Sequence, residues 1–386
     1  MGEMMNFEFA TASRIIFGSG KSQDLGLYAK VYGASALILC GGQKIVNLLM
    51  KSLDEHGMGY EVVCVQKEPT VPMIEDILDQ TKAFHYDLVI GIGGGSVLDA
   101  GKAVSALRTN SGDVLDYLEV VGRNKPLLIP PMPYIAVPTT SGTGSEVTRN
   151  AVLSVPEKKV KVSLRSSMML PEIALVDPEL AVTMPPEVTA STGLDALTQV
   201  IEPFLSIRAN QMVDLYCREG MACASRSLRA AYNDGLNIAA RTDMAWVSLL
   251  GGLSLANAGL GAVHGFAGPI GAMFDAPHGM LCARLLPIVF RHNGKEILKQ
   301  DHPSFLYKFQ EVSRILCGYN SADISDGAQW LADIVEDLNV PKLSRYGVKR
   351  TDIPVIVEKA RNASSMKANP VQLPVEILED ILAEVL

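Results

Sequence analysis

The sequence predicts a chain of two differently built halves, an α/β first part with a mostly parallel sheet and an all-helical second part. Up to about Asp177, short apolar runs alternate with amphipathic stretches, the pattern of strands and helices wound into a parallel sheet. Beyond that point β-branched runs become scarce and apolar residues recur at three and four, which is the helical period. Between the two patterns, Pro185 and Pro186 break the chain and can begin a helix. The expected domains are therefore 1–184 and 185–386.

In the first half, "ASALILCGG" (34–42) is a buried strand ending in glycines, and "YEVVCV" (60–65) is a second strand. "YDLVIGIGGGS" (86–96) is a strand running into a glycine turn, and "VLDAGKAVSAL" (97–107) continues it as a helix. "YIAVPTT" (134–140) is a further strand, and "PEIALVDPEL" (171–180) closes the half. From "PPEVTASTGLDALTQVIEPFL" to "PVEILEDILAEVL" only helices are expected.

The totals narrow the function. A chain of 386 residues that is 48% hydrophobic can bury large cores. Its net charge of −8 offers no electrostatic footprint for nucleic acid. No apolar stretch is long enough to span a bilayer, and the N-terminus has neither the basic start nor the apolar core of a signal peptide. Six scattered cysteines without a CxxC pair read as reduced core thiols, and the expected compartment is the cytoplasm.

Two strand ends carry binding chemistry. In "GIGGGSVLDAGK" (91–102), Gly93, Gly94 and Gly95 let the backbone turn sharply and come close to a ligand. Ser96 follows at a helix start, where free N–H groups favour an anion such as a pyrophosphate. The loop is neither a GxGxxG fingerprint nor a Walker loop, and a tight turn without a ligand would look the same in isolation. "PTTSGTGSEVT" (138–148) changes the balance, because Thr139, Thr140 and Thr143 also follow a strand directly. Their hydroxyls can bond ribose or phosphate oxygens, and open α/β sheets bind ligands at their strand C-termini.

In the second half, "GLDALTQVIEP" (193–203) places Asp195 and Gln199 one helical turn apart on one face. Four of the six histidines (His56, His85, His292 and His302) lie in polar text and read as surface residues. His264 and His278 lie in the glycine-rich apolar segment 257–280. With Asp195 they could supply nitrogen and oxygen ligands to a divalent metal; satisfied core histidines are the competing explanation.

These segments together resemble the iron-containing, or group III, alcohol dehydrogenase family over nearly the whole chain. "RIIFGSG" (14–20), "GGGSVLDAGKA", "PTTSGTGSEVT" and "PEIALVDPEL" resemble its nucleotide-domain motifs, and "GLDALTQVIEP", "AVHGFAGPIG", "APHG" and "NPVQL" (369–373) resemble its helical domain. The resemblance implies a dehydroquinate synthase-like architecture, with a dinucleotide-binding α/β domain and an all-helical metal- and substrate-binding domain. It also implies NAD(P)-dependent hydride transfer to or from a small alcohol or aldehyde, and a homodimer. Carried over, the pyrophosphate loop is Gly93, Gly94, Gly95 and Ser96, with Thr139, Thr140 and Thr143 in the second loop and Lys161 near the nicotinamide ribose. The metal, iron or zinc, falls to Asp195, Gln199, His264 and His278, of which Asp195, His264 and His278 are also the catalytic set.

Two positions depart from the family. Gln199 stands where the family has a histidine ligand, and Gly268 stands where it often has a histidine near the nicotinamide. A metal-free or catalytically silent nucleotide-binding descendant is therefore one rival, and a polyol- or phosphorylated-substrate dehydrogenase is another. After the second strand, Gly41 and Gly42 are followed by Gln43 and Lys44, with no acid to repel a 2′-phosphate. This favours NADP over NAD.

Overall fold

The computed structural model describes residues 6–300 and 302–386. Its strands are β1 (Arg14–Phe17), β2 (Ser35–Cys40), β3 (Gly59–Cys64), β4 (Leu88–Gly93), β5 (Tyr134–Pro138), β6 (Asn150–Val155), β7 (Val160–Arg165) and β8 (Ile173–Val176). Interleaved with these are α1 (Leu25–Ala29), α2 (Gln43–Glu55), α3 (Val71–Thr81), α4 (Gly95–Leu107) and α5 (Val114–Tyr117). Helices then follow alone: α6 (Pro186–Leu205), α7 (Gln211–Asn233), α8 (Ile238–Ala258), α9 (Ala262–Met273), α10 (His278–Gln300), α11 (Pro303–Cys317), α12 (Ile324–Asp337), α13 (Ile353–Asn362) and α14 (Val375–Val385). The chain forms two compact units that divide between Pro185 and Pro186. Asp234–Ala245 groups with the sheet unit, and the described residues up to Ala10 group with the helical unit.

In the sheet unit, six strands lie in the order β1-β8-β5-β4-β2-β3, and every neighbouring pair is parallel. The strand β2, SALILC, is apolar along its length because it is covered on both faces. Leu37 and Leu39 pack into one core with Val89, Val97 and Ala136. Ala36 and Ile38 pack into the other with Leu88, Ile90 and Val137. The chain runs from β2 outward to β3, then crosses back to β4 on the other side of β2. Such a reversal opens a crevice at the strand C-termini, and β2 ends there at Cys40 with Gly41 next. A feature that the sequence reading did not anticipate is the antiparallel hairpin of β6 and β7, whose turn over Pro156–Lys158 ends at Lys159 with φ 51°.

The helical unit has no strand among its described residues, and no single described helix is long and apolar enough to cross a membrane. His292 departs from its expected surface position. It is 7% exposed on α10, and its Nε2 lies 2.9 Å from Glu384 Oε1 on α14. A partner 92 residues away turns a histidine in polar text into a buried one. Cys64, by contrast, is exposed although it was expected in the core.

Helix α10 approaches α6 through Gly279. A Cβ there would stand 2.1 Å from the backbone oxygen of Ser191, far inside van der Waals contact. Gly279→Ala should therefore push the two helices apart, lower the melting temperature and cost about 1–3 kcal/mol, the usual range for overpacking. Calorimetry on the purified variant checks this. An unchanged melting temperature would mean that the crossing tolerates a methyl group.

Candidate functional site

Three helices converge their polar residues on one buried point of the helical unit. Helix α6 carries Asp195, Gln199 and Glu202 at positions i, i+4 and i+7, which share one face. They are 2%, 3% and 6% exposed, on a stretch from Leu194 to Leu205 whose other residues are apolar apart from Thr198. Helix α9 supplies His264 in its first turn. Helix α10 begins at His278 and presents Cys282 one turn later. One ligand atom from each of Asp195, His264, His278 and Cys282 lies within 4.8 Å of all the others.

The distances define the arrangement. His264 Nε2 is 3.4 Å from Asp195 Oδ1, and His278 Nε2 is 4.0 Å from the same oxygen. Cys282 Sγ lies 3.8 Å from His264 Nε2 and 3.6 Å from His278 Nε2. The other nitrogen of His264, Nδ1, is 2.6 Å from Glu202 Oε2, while Glu202 Oε1 accepts the N–H of Val263 at 2.7 Å. A carboxylate holding Nδ1–H fixes the tautomer and leaves Nε2 as a lone-pair donor. Glu202 thus aims His264 at the point shared with Asp195, His278 and Cys282.

Charge is unbalanced at this point. Burial pushes the Asp195 carboxyl up, but His264, His278 and Gln199 outweigh it and hold its pKa below the usual value. Burial opposes a charge on His264, yet Cys282, Asp195 and Glu202 hold its pKa well above the ordinary imidazole value. Cys282 is the largest influence on His278, and together with Asp195 it raises that imidazole too. Oxygens of Asp195 and Glu202 and the sulfur of Cys282 thus face the two rings. Asp195 Oδ1 and Gln199 Oε1 are buried without any hydrogen-bond partner. An unsatisfied buried acceptor costs about 1–3 kcal/mol, and more when charged. A divalent metal at the shared point would satisfy the carboxylate and accept both imidazoles, so the donor set fits one.

The structure therefore brings together Asp195, His264 and His278 and sets Gln199 beside Asp195. Sequence reasoning missed Glu202 and Cys282, although each carried a spacing signal. Glu202 is seven residues after Asp195 and Cys282 is four after His278, both same-face helical intervals. Cys282 had been counted among scattered core thiols. At Gly268 an added Cβ would meet none of the described residues within 4 Å, so the space beside this backbone position is open.

In the sheet unit the two loops meet. Gly94 is the N-cap of α4 and no side chain caps it, so the first N–H groups of the helix are left for a ligand. A Cβ on Gly93 would lie 2.4 Å from Val97, one on Gly95 would lie 2.7 Å from Thr143, and one on Gly94 would lie 3.2 Å from Thr140. The backbone N–H of Thr139 bonds Gly93 O at 3.0 Å. Gly41 belongs to the same rim, where its Cβ would touch Val97 at 3.4 Å. Gln43 and Lys44 begin α2, but their side chains lie outside the described residues. Lys161 is placed on β7, where it pairs with Glu68 at 2.5 Å.

A buried network, unread in the sequence, pins the threonine loop to α4. Lys102 is 1% exposed, and its Nζ donates to Ser145 O and Thr148 Oγ1, each at 3.0 Å. It also lies 3.1 Å from Asp99 Oδ1, and Asp99 in turn accepts from Ser145 Oγ at 2.6 Å. Beside it, burial raises the Glu146 carboxyl to about 7, from an ordinary 4.5. The folded protein therefore keeps this proton between pH 4.5 and about 7 while the unfolded chain releases it. Stability from this group is fullest at low pH and falls as pH rises through that window. Glu146→Gln should raise the melting temperature above wild type at about pH 8 and converge with it near pH 4.5. A difference independent of pH would show that burial leaves the Glu146 pKa as it is in the unfolded chain.

Comparison with known proteins closes the question of kinship. The iron-containing alcohol dehydrogenase family matches residues 12–178, and the C-terminal description of the same Fe-containing family matches residues 189–386. The chain is 33% identical over 367 residues to alcohol dehydrogenase 4 of Saccharomyces cerevisiae, covering 93% of each. It is 32% identical over 379 residues to 1,3-propanediol dehydrogenase of Citrobacter freundii, covering 94% of this chain and 95% of that one. The crystal structure of a 1,3-propanediol oxidoreductase matches with a TM-score of 0.91 at 29% identity, over 99% of this chain and 100% of the other. Sulfoacetaldehyde reductase from Bifidobacterium kashiwanohense, solved in complex with NAD+, matches at 0.88 and 26% identity, over 99% of each. The chain belongs to the iron-containing alcohol dehydrogenase family, NAD(P)-dependent oxidoreductases that act on CH–OH groups.

Proposed function

We propose that this chain exchanges hydride between NADP(H), in preference to NAD(H), and a small aldehyde or alcohol, with a divalent metal, iron or zinc, held by Asp195, His264 and His278. The observation that carries the reading is the convergence of these ligand atoms, with only His278 partly exposed, around an Asp195 oxygen that has no hydrogen-bond partner among the described residues. The intact glycine and threonine loops at neighbouring strand ends support the nucleotide part. A cytoplasmic homodimer belongs to the same reading.

When bound, the metal polarises the substrate oxygen as a Lewis acid and the nicotinamide carries the hydride. The chain supplies the binding, the orientation and the exclusion of water. Glu202 keeps the proton on Nδ1 of His264, so that Nε2 stays free to ligate. The N-terminus of α4 would receive the pyrophosphate, and Thr139, Thr140 and Thr143 would bond ribose or phosphate oxygens. With glycine at position 268, the chain offers no imidazole there to move the proton. The preference for NADP(H) rests on the end of β2, where Gly41 and Gly42 leave no acid to repel a 2′-phosphate and the first turn of α2 has none.

Two substitutions test the nucleotide assignments. Gly94→Val should abolish NADPH binding in a fluorescence titration while the fold and metal content are kept, because its side chain presses on Thr140 and blocks the backbone. Unchanged NADPH affinity would move the pyrophosphate elsewhere. The parent should bind NADPH more tightly than NADH, and Gly41→Asp should shift the preference toward NADH by charge repulsion. A parent that already prefers NADH several-fold would refute the inference from β2. On the metal side, His264→Ala should lose both bound metal and turnover of a simple aldehyde.

A further inference from the structure

We propose that Cys282 is the fourth protein ligand of the metal, its thiolate taking the coordination place that Gln199 leaves unfilled. The inference rests on the reading that Asp195, His264 and His278 hold a divalent metal, and it assigns the remaining donor.

Geometry carries the assignment. With metal–nitrogen and metal–oxygen bonds of about 2.0–2.2 Å and a metal–sulfur bond of about 2.3 Å, a tetrahedral site has N···O edges of about 3.4 Å and N···S edges of about 3.6 Å. The edges found here are 3.4 and 4.0 Å from the two imidazoles to Asp195 Oδ1, and 3.8 and 3.6 Å from the same imidazoles to Cys282 Sγ. Four of the six edges thus match tetrahedral separations or exceed them by up to about 0.6 Å, and the other two lie within 4.8 Å. Cys282 is fully buried, and its sulfur faces the Nε2 atoms of both histidines. A thiol carries one proton and cannot donate to both rings, whereas a thiolate sharing a cation with them satisfies all three. The orphaned Asp195 Oδ1 is the independent sign that a cation belongs there.

Gln199 Oε1 lies toward α8, 3.4 Å from where a Cβ on Gly251 would stand. It is a neutral amide oxygen, a weaker donor to a divalent metal than a thiolate sulfur. Replacing an imidazole with a thiolate softens the donor set and favours zinc. The thiol proton is released to solvent when the metal binds.

The test uses the full-length protein, stripped with a chelator and reloaded with Co(II) or Zn(II). Wild type should take up one metal per chain, and its cobalt form should show a near-ultraviolet thiolate-to-metal charge-transfer band. Zinc-edge X-ray absorption on wild type, which needs no variant, should find one sulfur neighbour at about 2.3 Å. Cys282→Ser should lose the band and weaken cobalt binding at least about tenfold, since even loss of a partner outside the coordination shell costs about 10–100-fold. Gln199→Ala should keep the band. One metal per chain with nitrogen and oxygen neighbours alone, or a band that survives in Cys282→Ser, would overturn the assignment and leave the three-ligand reading standing. Failure of wild type to bind either metal would overturn both.

Discussion

A buried carboxylate with one oxygen that no hydrogen bond satisfies among the described residues is the constraint on which the helical unit depends. Asp195 sits 2% exposed on α6 with one oxygen unpaired, a position that apolar packing alone would not sustain. The surrounding structure is arranged to answer that charge. Two imidazoles are brought to within 4.0 Å of the oxygen, one of them aimed by Glu202. Close helix approach makes this possible. Gly279 lets α10 lie against α6. At Gly261, the N-cap of α9, an added Cβ would stand 2.7 Å from Glu202 Oε1, so only glycine leaves that carboxylate its place. The same small residues that made the segment 257–280 look like an apolar core are the ones that allow a polar cluster inside it.

The sheet unit solves a different problem, which is to expose backbone N–H groups without losing the structure around them. Its glycine loop is crowded from outside by Val97, Thr140 and Thr143, so the turn is held in shape by contacts that only glycine permits. Lys102, Asp99 and Ser145 join the second loop to α4 through buried bonds. Each unit therefore invests buried polar groups where a ligand is to be bound, and fills the remainder with aliphatic packing.

Much of this was legible from the chain. The strand ends at Gly41, Gly93 and Thr139 announced themselves through glycine and hydroxyl residues after apolar runs. The helical second half followed from its period. Asp195, His264 and His278 stood out because they are polar residues in apolar text. Cys282 and Glu202 escaped notice for the opposite reason. A cysteine blends into a hydrophobic helix, and a glutamate near a helix end passes for surface. Only the meeting of α6 with α9, 62 residues apart at Glu202 and His264, and with the following α10 gives them a role. His292 was misjudged on the same ground, since its partner Glu384 is remote. The β6–β7 hairpin was within reach, because "VLSVPEKKVKVSL" alternates around a turn, but its strands were hidden between stronger motifs.

The central claim is that an oxidoreductase lacking one of the family's metal-ligand histidines has kept a working metal centre. Its most direct measurement pairs elemental analysis with NADPH-dependent reduction of a simple aldehyde, on protein purified without chelators and again after exhaustive chelation. The account predicts one divalent metal per chain before treatment, loss of turnover with its removal, and recovery when the metal is restored. Full turnover by a protein shown to hold no metal would contradict it, and would return Asp195, His264 and His278 to a purely structural role.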